Sequence, residues 1–203
     1  MDWDKHAANW DEREDVHAYS QAAYESLERR CNELRFSLHG TRVCDFGCGT
    51  GQLSQRLAVH CDTIVAIDNS AEMIATLTRK VATLKLENVH PLLLTLDAES
   101  VASSPLLSEA FDLIVCSSVC AFLDDYPASV ALLAGLLRPN GLFVQWDWEA
   151  HEGDEEPFGL TRKSIRSAQT AAGLEVLSLE TGFTIGEGDE AMAPLMAIGL
   201  KVA

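Results

Sequence analysis

Apolar residues recur along the chain at two spacings, and the two spacings separate helices from strands. Between Val16 and Leu38 they return every three or four residues, which predicts one long amphipathic helix that ends before Gly40. Farther along, short continuous apolar runs indicate strands. The seven predicted strands are 43–46, 63–67, 90–96, 111–116, 142–148, 174–179 and 194–202.

Helical patterns lie between most of these strands, at 52–60, 71–84, 127–137 and 161–172. Alternating strands and helices are typical of a parallel sheet with crossover helices. The last two strands are joined by a turn alone and should therefore be antiparallel. The sequence predicts an α/β fold with a doubly wound, mostly parallel seven-stranded sheet and an antiparallel C-terminal strand.

The length of 203 residues suits one domain over 1–203. We expect three parts within it: an N-terminal helical cap over 1–40, a core over 41–148, and a C-terminal helix and hairpin over 149–203. No apolar run is long enough to cross a bilayer, and the amino terminus lacks the pattern of a secretory signal. We therefore expect a cytoplasmic protein without a membrane partner.

The charge argues against one class of partner, and the cysteines argue against a metal site. With 31 acidic and 15 basic residues, the formal net charge of −16 argues against nucleic acid, whose phosphates require clustered Lys and Arg. The six cysteines are read as reduced thiols. The pairs Cys44/Cys48 and Cys116/Cys120 have no further Cys or His at zinc-site spacing, so no metal site is predicted.

Polar residues follow the predicted strands at the edge where open parallel sheets bind ligands. A glycine-rich turn at 47–51 comes after the first strand, and Asp68 comes after the second. The interval between them, about 20 residues, is the one at which dinucleotide-type folds place a ribose-binding carboxylate. Helix capping is the alternative role for such aspartates. Gln52 stands where an NAD site has its third glycine, which argues against NAD.

Five segments follow one another along the chain: VCDFGCGTGQLS (43–54), IVAIDNSAEMI (64–74), LLTLDAES (93–100), FDLIVCSSVCAFLDD (111–125) and LLRPNGLFV (136–144). Together and in this order they resemble class I S-adenosylmethionine-dependent methyltransferases. A looser likeness lies at WDKHAANWDERE, a region that in the family often folds over cofactor and acceptor. The resemblance covers 43–148 and implies a Rossmann-like fold and S-adenosyl-L-methionine as cofactor.

The resemblance also implies roles for particular residues. Asp45 and the glycine turn would hold the methionine portion of the cofactor. Asp68 would take the ribose, and Asp97 would accept from the adenine amino group. Met73 would pack on the adenine, and Ser117 would lie near the reacting sulfur. The implied cofactor-binding residues are Asp45, Gly47, Cys48, Gly49, Gly51, Asp68, Asn69, Met73, Asp97, Ala98 and Ser117.

The acceptor is not identified by the sequence. The loop after strand four lacks the Asn/Asp-Pro-Pro-aromatic sequence of adenine and glutamine methylation and the Pro-Cys of cytosine enzymes. We therefore expect a small-molecule acceptor. His151, just past strand five, is a candidate general base, with a solvated loop histidine as the alternative. Two other functions stay open: a cofactor-binding or regulatory protein without turnover, and an NAD-dependent oxidoreductase.

Overall fold

A computed structural model describes residues 2–150, 158–188 and 191–202 and divides the chain into two compact units. The first unit reaches to Thr95. Its three strands run parallel, with the second strand between the other two. Its elements are a 3-10 helix η1 (Trp3–Glu12), α1 (Glu14–Leu34), β1 (Arg42–Phe46), α2 (Gln52–Leu57), β2 (Thr63–Asp68), α3 (Ala71–Leu84) and β3 (Val89–Leu93).

The second unit begins at Leu96. Its elements are α4 (Ala98–Ser103), the 3-10 helix η2 (Pro105–Leu107), β4 (Phe111–Ser117), the 3-10 helix η3 (Cys120–Phe122), α5 (Tyr126–Gly135), β5 (Leu137–Asp147), α6 (Arg162–Ala171), β6 (Leu174–Thr181) and β7 (Leu195–Lys201). Strands β4 and β5 are parallel, whereas β7 pairs antiparallel with both β5 and β6.

The seven strands have the order β3-β2-β1-β4-β5-β7-β6. This order confirms the predicted α/β fold, with a mostly parallel sheet and an antiparallel strand near the C-terminus. The extent of the predicted single domain, 1–203 with its three parts, stays a prediction.

Strands β2 and β4 are apolar along most of their length because they are covered on both faces. In β2 the residues from Ile64 to Ile67 have no exposed surface, and in β4 the same holds from Phe111 to Cys116 apart from the largely buried Asp112. The polar side chains of these two strands therefore lie at or next to the strand ends, where ligand chemistry is expected.

Several predicted boundaries differ from the structure, and three of these differences have a structural reason. Helix α1 stops at Leu34 rather than Leu38, because Arg35 takes a left-handed conformation and the backbone N–H of Phe36 turns back to Cys31 O. Strand β3 ends at Leu93 rather than at 96, ahead of the N-cap of α4. Strand β5 begins five residues earlier than predicted, in a stretch where its register with β4 shifts.

The six cysteines are free thiols, as the sequence predicts. Five of them are buried, and Cys48 is half-buried. Over the described parts of the chain, every helix is too short or too polar to span a membrane.

Candidate functional site

The glycine-rich turn follows β1 and is anchored to the end of β2. The backbone N–H groups of Gly47 and Cys48 both donate to the carbonyl of Ile67, at 2.8 and 2.9 Å. Gly51 closes the turn with φ 77°, a left-handed conformation that favours glycine, and α2 begins directly after it. A Cβ at Gly51 would overlap the Cδ1 methyl of Leu77 and lie 3.2 Å from its Cδ2. The turn can pack this closely on α3 only because residue 51 has no side chain.

Asp68 ends β2 and joins the glycine turn to the start of α3. Its Oδ2 accepts a hydrogen bond from the backbone N–H of Gly49 at 2.8 Å, and its Oδ1 accepts one from the N–H of Ser70 at 2.9 Å. Burial raises the pKa of this carboxyl, and the two N–H groups oppose that rise. Each oxygen keeps one further lone pair. The half-buried carboxylate can therefore accept from two neighbouring hydroxyls, as in a ribose diol.

Asp45 is buried within β1 and supports the glycine turn through a hydrogen bond to α2. The hydroxyl of Ser54 in α2 donates to its Oδ2 at 2.5 Å. Burial raises the pKa of Asp45 to about 6, and the nearby charge of Asp68 adds to the effect. This contact fixes α2 relative to β1 and thereby helps to hold the turn between them.

Met73 and Asn69 lie on either side of the cap of α3. Met73 is 2% exposed, and its Sδ lies 3.9 Å from the position that a Cβ would take at Gly49. The hydroxyl of Ser70 caps the helix by accepting from the N–H of Met73 at 3.2 Å. Asn69 is exposed. The first unit thus brings the glycine turn, Asp68 and Met73 together.

The N-terminal 3-10 helix contacts the same turn through residues that the sequence does not single out. Asp11 in η1 accepts hydrogen bonds from Thr50 Oγ1 and Gln52 Nε2, both at 2.7 Å, and forms an ion pair with Lys80 Nζ at 2.6 Å. Burial disfavours the charge of Asp11, but these donors outweigh it and lower its pKa. Lys80 also donates to the carbonyl of Thr50 at 3.0 Å. Asp11 therefore ties η1 to the turn and to α3.

Two further contacts of η1 lie beside the predicted ribose site. Asp4 accepts from the hydroxyl of Ser70 at 2.6 Å and from the N–H of Glu72 at 3.3 Å. The indole Nε1 of Trp10 lies 3.7 Å from the position that a Cβ would take at Gly49. The one sequence signal for these contacts is the loose likeness at 3–14. It places the segment near the cofactor but does not single out Asp4 or Asp11.

The other predicted site residues lie in the second unit. Asp97 is exposed and caps α4, accepting from the backbone N–H of Ser100 at 2.7 Å and from its hydroxyl at 2.9 Å. These two bonds lower its pKa. Ala98 is the first residue of α4 and is exposed, whereas Ser117 ends β4 and is half-buried. The structure thus shows the capping role for Asp97, and the cofactor roles of the three residues stay predictions. His151 lies outside the described residues.

Comparison with known proteins gives one consistent result. The family model described as a methyltransferase domain matches residues 44–145. An uncharacterized methyltransferase of Schizosaccharomyces pombe is 35% identical over 108 residues, which are 52% of this chain and 38% of that protein. A ubiquinone biosynthesis O-methyltransferase of Xylella fastidiosa is 35% identical over 148 residues, 70% of this chain and 52% of the relative. This chain therefore spans about half, or less, of the length of these relatives.

A solved structure supports the same fold. A solved complex between the Haloferax volcanii Trm112 methyltransferase activator and a putative methyltransferase contains a chain that aligns with a TM-score of 0.75 at 17% identity. The alignment covers 100% of this chain and 96% of that one. At this identity the likeness concerns the fold alone.

Proposed function

Because this chain belongs to the class I S-adenosylmethionine-dependent methyltransferase family, we propose that it transfers a methyl group from S-adenosylmethionine to a small-molecule acceptor. The observation that carries the proposal is the junction of the glycine turn with Asp68, through the 2.8 Å hydrogen bond from Gly49. This junction places a two-oxygen acceptor beside a turn that has no side chains at residues 49 and 51.

The residues of the first unit fit the cofactor by their chemistry. Asp68 would accept from the ribose hydroxyls, with Asn69 next to it. The glycine turn (Gly47, Cys48, Gly49 and Gly51), supported by Asp45, would take the methionine portion, and Met73 would pack on the adenine. Asp97, Ala98 and Ser117 keep, as part of this proposal, the adenine and sulfonium contacts that the family resemblance implies.

The mechanism requires orientation more than acid–base chemistry. S-adenosylmethionine, when bound, supplies a methyl group on a positively charged sulfur that is already activated for displacement. The protein has then to hold the donor, align the acceptor and exclude water. The carboxylate of Asp68 orients the donor through its ribose, and His151 stays a candidate proton acceptor for the attacking group.

A small-molecule acceptor is supported by two arguments. The relative from Xylella fastidiosa is named for O-methylation in ubiquinone biosynthesis, which is chemistry on a small molecule. The net charge of −16 disfavours approach to a phosphate backbone. We therefore propose that the acceptor is a small molecule with a free hydroxyl or carboxylate and that nucleic acid is not a substrate.

Ligand binding tests the cofactor assignment directly. S-adenosylmethionine or S-adenosylhomocysteine at about 100 times its dissociation constant should stabilise the native state by about 2.7 kcal/mol. For a chain of this size that energy raises the Tm by about 5–10 °C. NAD at the same concentration should give no shift. A shift with NAD alone would replace the proposal by the oxidoreductase alternative.

Turnover is tested with methyl-labelled S-adenosylmethionine and a panel of phenols and carboxylic acids as acceptors. We expect label in at least one small molecule and none in mixed DNA or RNA at about 150 mM salt, an ionic strength near the physiological one. Binding of the cofactor without label in any acceptor under single-turnover conditions would favour a regulatory protein. Label in nucleic acid would refute the small-molecule assignment.

A further inference from the structure

A buried carboxylate at the end of β5 holds the segment that follows β4. Asp147 is the last residue of β5, and its side chain is fully buried. Its Oδ1 accepts from the backbone N–H of Ala121 at 3.0 Å, and its Oδ2 accepts from Nε2 of Gln145, also at 3.0 Å. Asp147 therefore fixes the 3-10 turn η3 to the end of β5.

Gln145 connects this contact to two helices. Its Oε1 accepts from the hydroxyl of Tyr126 in α5 at 2.8 Å and from Nε2 of Gln169 in α6 at 3.2 Å. Gln145 and Gln169 are fully buried. Breaking any of these bonds would leave a buried polar group without water, which disfavours their rearrangement. The position of η3 is thus tied to α5 and α6 as well as to β5.

The residue next to Ser117 has a strained backbone that β5 also holds. Ser118 has φ 56°, in the left-handed region that non-glycine residues rarely adopt. Its N–H donates to the carbonyl of Trp146 at 2.8 Å, and its Oγ accepts from the indole Nε1 of Trp148 at 3.1 Å. Three successive residues, 146–148, therefore fix the chain that follows β4.

Asp147 has its carboxyl group at a position where burial disfavours the charged form. Burial raises the pKa of Asp147 to about 7, although the N–H of Ala121, the thiol of Cys120 and the amide of Gln145 all lower it. The buried carboxyl group accepts from two donors, and losing it would leave both without a partner, so it fixes their positions. Those donors belong to the two sides of the contact, β5 and η3.

We infer that Asp147 and Trp148 are positioning residues for methyl transfer, which hold residues 118–122 and thereby fix Ser117 at the methionine end of the cofactor. The inference rests on the proposed function, which assigns Ser117 to that end. Neither residue needs to touch the cofactor, since each acts through the chain after β4.

Two ligands separate this role from a general effect on folding. S-adenosylhomocysteine contains the amino-acid portion, whereas 5′-methylthioadenosine has the same adenosine and sulfur without it. Asp147→Asn places an amide N–H against a donor, and we expect it to raise the Kd of S-adenosylhomocysteine at least about tenfold. Trp148→Phe removes one neutral hydrogen bond and should raise that Kd about threefold to tenfold. The Kd of 5′-methylthioadenosine should stay within about twofold in both variants.

Asp125→Asn is the matched control. Asp125 also accepts a backbone N–H, from Ala128 at 3.0 Å, but it caps α5 at an exposed position. Its replacement should leave both Kd values unchanged in calorimetry. Trp148→Phe tests the inference alone if Asp147→Asn does not fold.

The outcomes distinguish the inference from the proposed function. Equal losses of both ligands, or no loss in a folded variant, would overturn the positioning role while the cofactor assignment stands. If the wild-type protein binds neither ligand, the proposed function is wrong and the inference fails with it.

Discussion

Replacement of Asp68 by Ala is expected to weaken the binding of S-adenosylhomocysteine at least about tenfold. A carboxylate that accepts from two ribose hydroxyls makes two charge-assisted hydrogen bonds, each worth about 1.5–3 kcal/mol. Each 1.4 kcal/mol corresponds to about a tenfold change in affinity. The expected loss is therefore large even if a bound water replaces part of one bond. Calorimetric titration of the folded variant measures it.

Asp62 provides the control for Asp68. It is an exposed aspartate just before the other end of the same strand, β2, so Asp62→Ala removes the same charge far from the glycine turn. Its cofactor affinity should equal that of the wild-type protein. Equal affinities for Asp68→Ala and Asp62→Ala would mean that Asp68 only links Gly49 to Ser70, and the ribose assignment would be wrong.

Gly51→Ala is expected to lower the free energy of unfolding by about 2–5 kcal/mol. A left-handed backbone costs a non-glycine residue about 1–2 kcal/mol. The added methyl would also overlap Leu77, which is fully buried, and an overpacked core costs about 1–3 kcal/mol more. Urea unfolding should show a lower midpoint at an unchanged slope.

A matched variant at Gly173 separates the backbone contribution from the packing contribution. Its φ is 76°, against 77° at Gly51, but a Cβ there meets no atom within 4 Å. Gly173→Ala should therefore lose only the backbone share, about 1–2 kcal/mol. The difference between the two variants measures the close packing of the turn on α3. Equal losses would contradict the packing that the structure shows around Leu77.

The apolar pattern predicts the sheet well because the central strands are covered on both faces. A run such as 64–67 has no solvent-facing position, so its composition alone marks it as a strand. The link between the glycine turn and Asp68 is equally readable, because it depends on a spacing within one βαβ unit. The structure shows that the link is a hydrogen bond from the backbone N–H of Gly49 to Asp68.

Other contacts leave no trace in the sequence because they join residues far apart in the chain. Asp11 meets Thr50 across 39 positions, and Asp147 meets Ala121 across 26. In the sequence, Asp11 is one of several acidic residues in a charged N-terminal stretch, and nothing marks it as the residue that binds Lys80. The end of β3 is a different case: the cap that Asp97 forms with Ser100 is local, but the apolar pattern of 94–96 leads the prediction past the observed end of the strand.

The attachment of η1 also has a consequence for the order in which the chain folds. Asp4 closes a loop to Ser70, 66 positions away, and such closure carries an entropic cost that one part-buried hydrogen bond offsets only in part. Residues 3–12 are synthesised before their partners at the start of α3 and within it, which follow about seventy residues later. We expect the N-terminal segment to dock after β1, β2 and α3 have assembled, because its partners belong to these elements and the turn between them. Contacts made after the folding transition state slow unfolding rather than speed folding, so stopped-flow unfolding rates are where a loss of this segment would register.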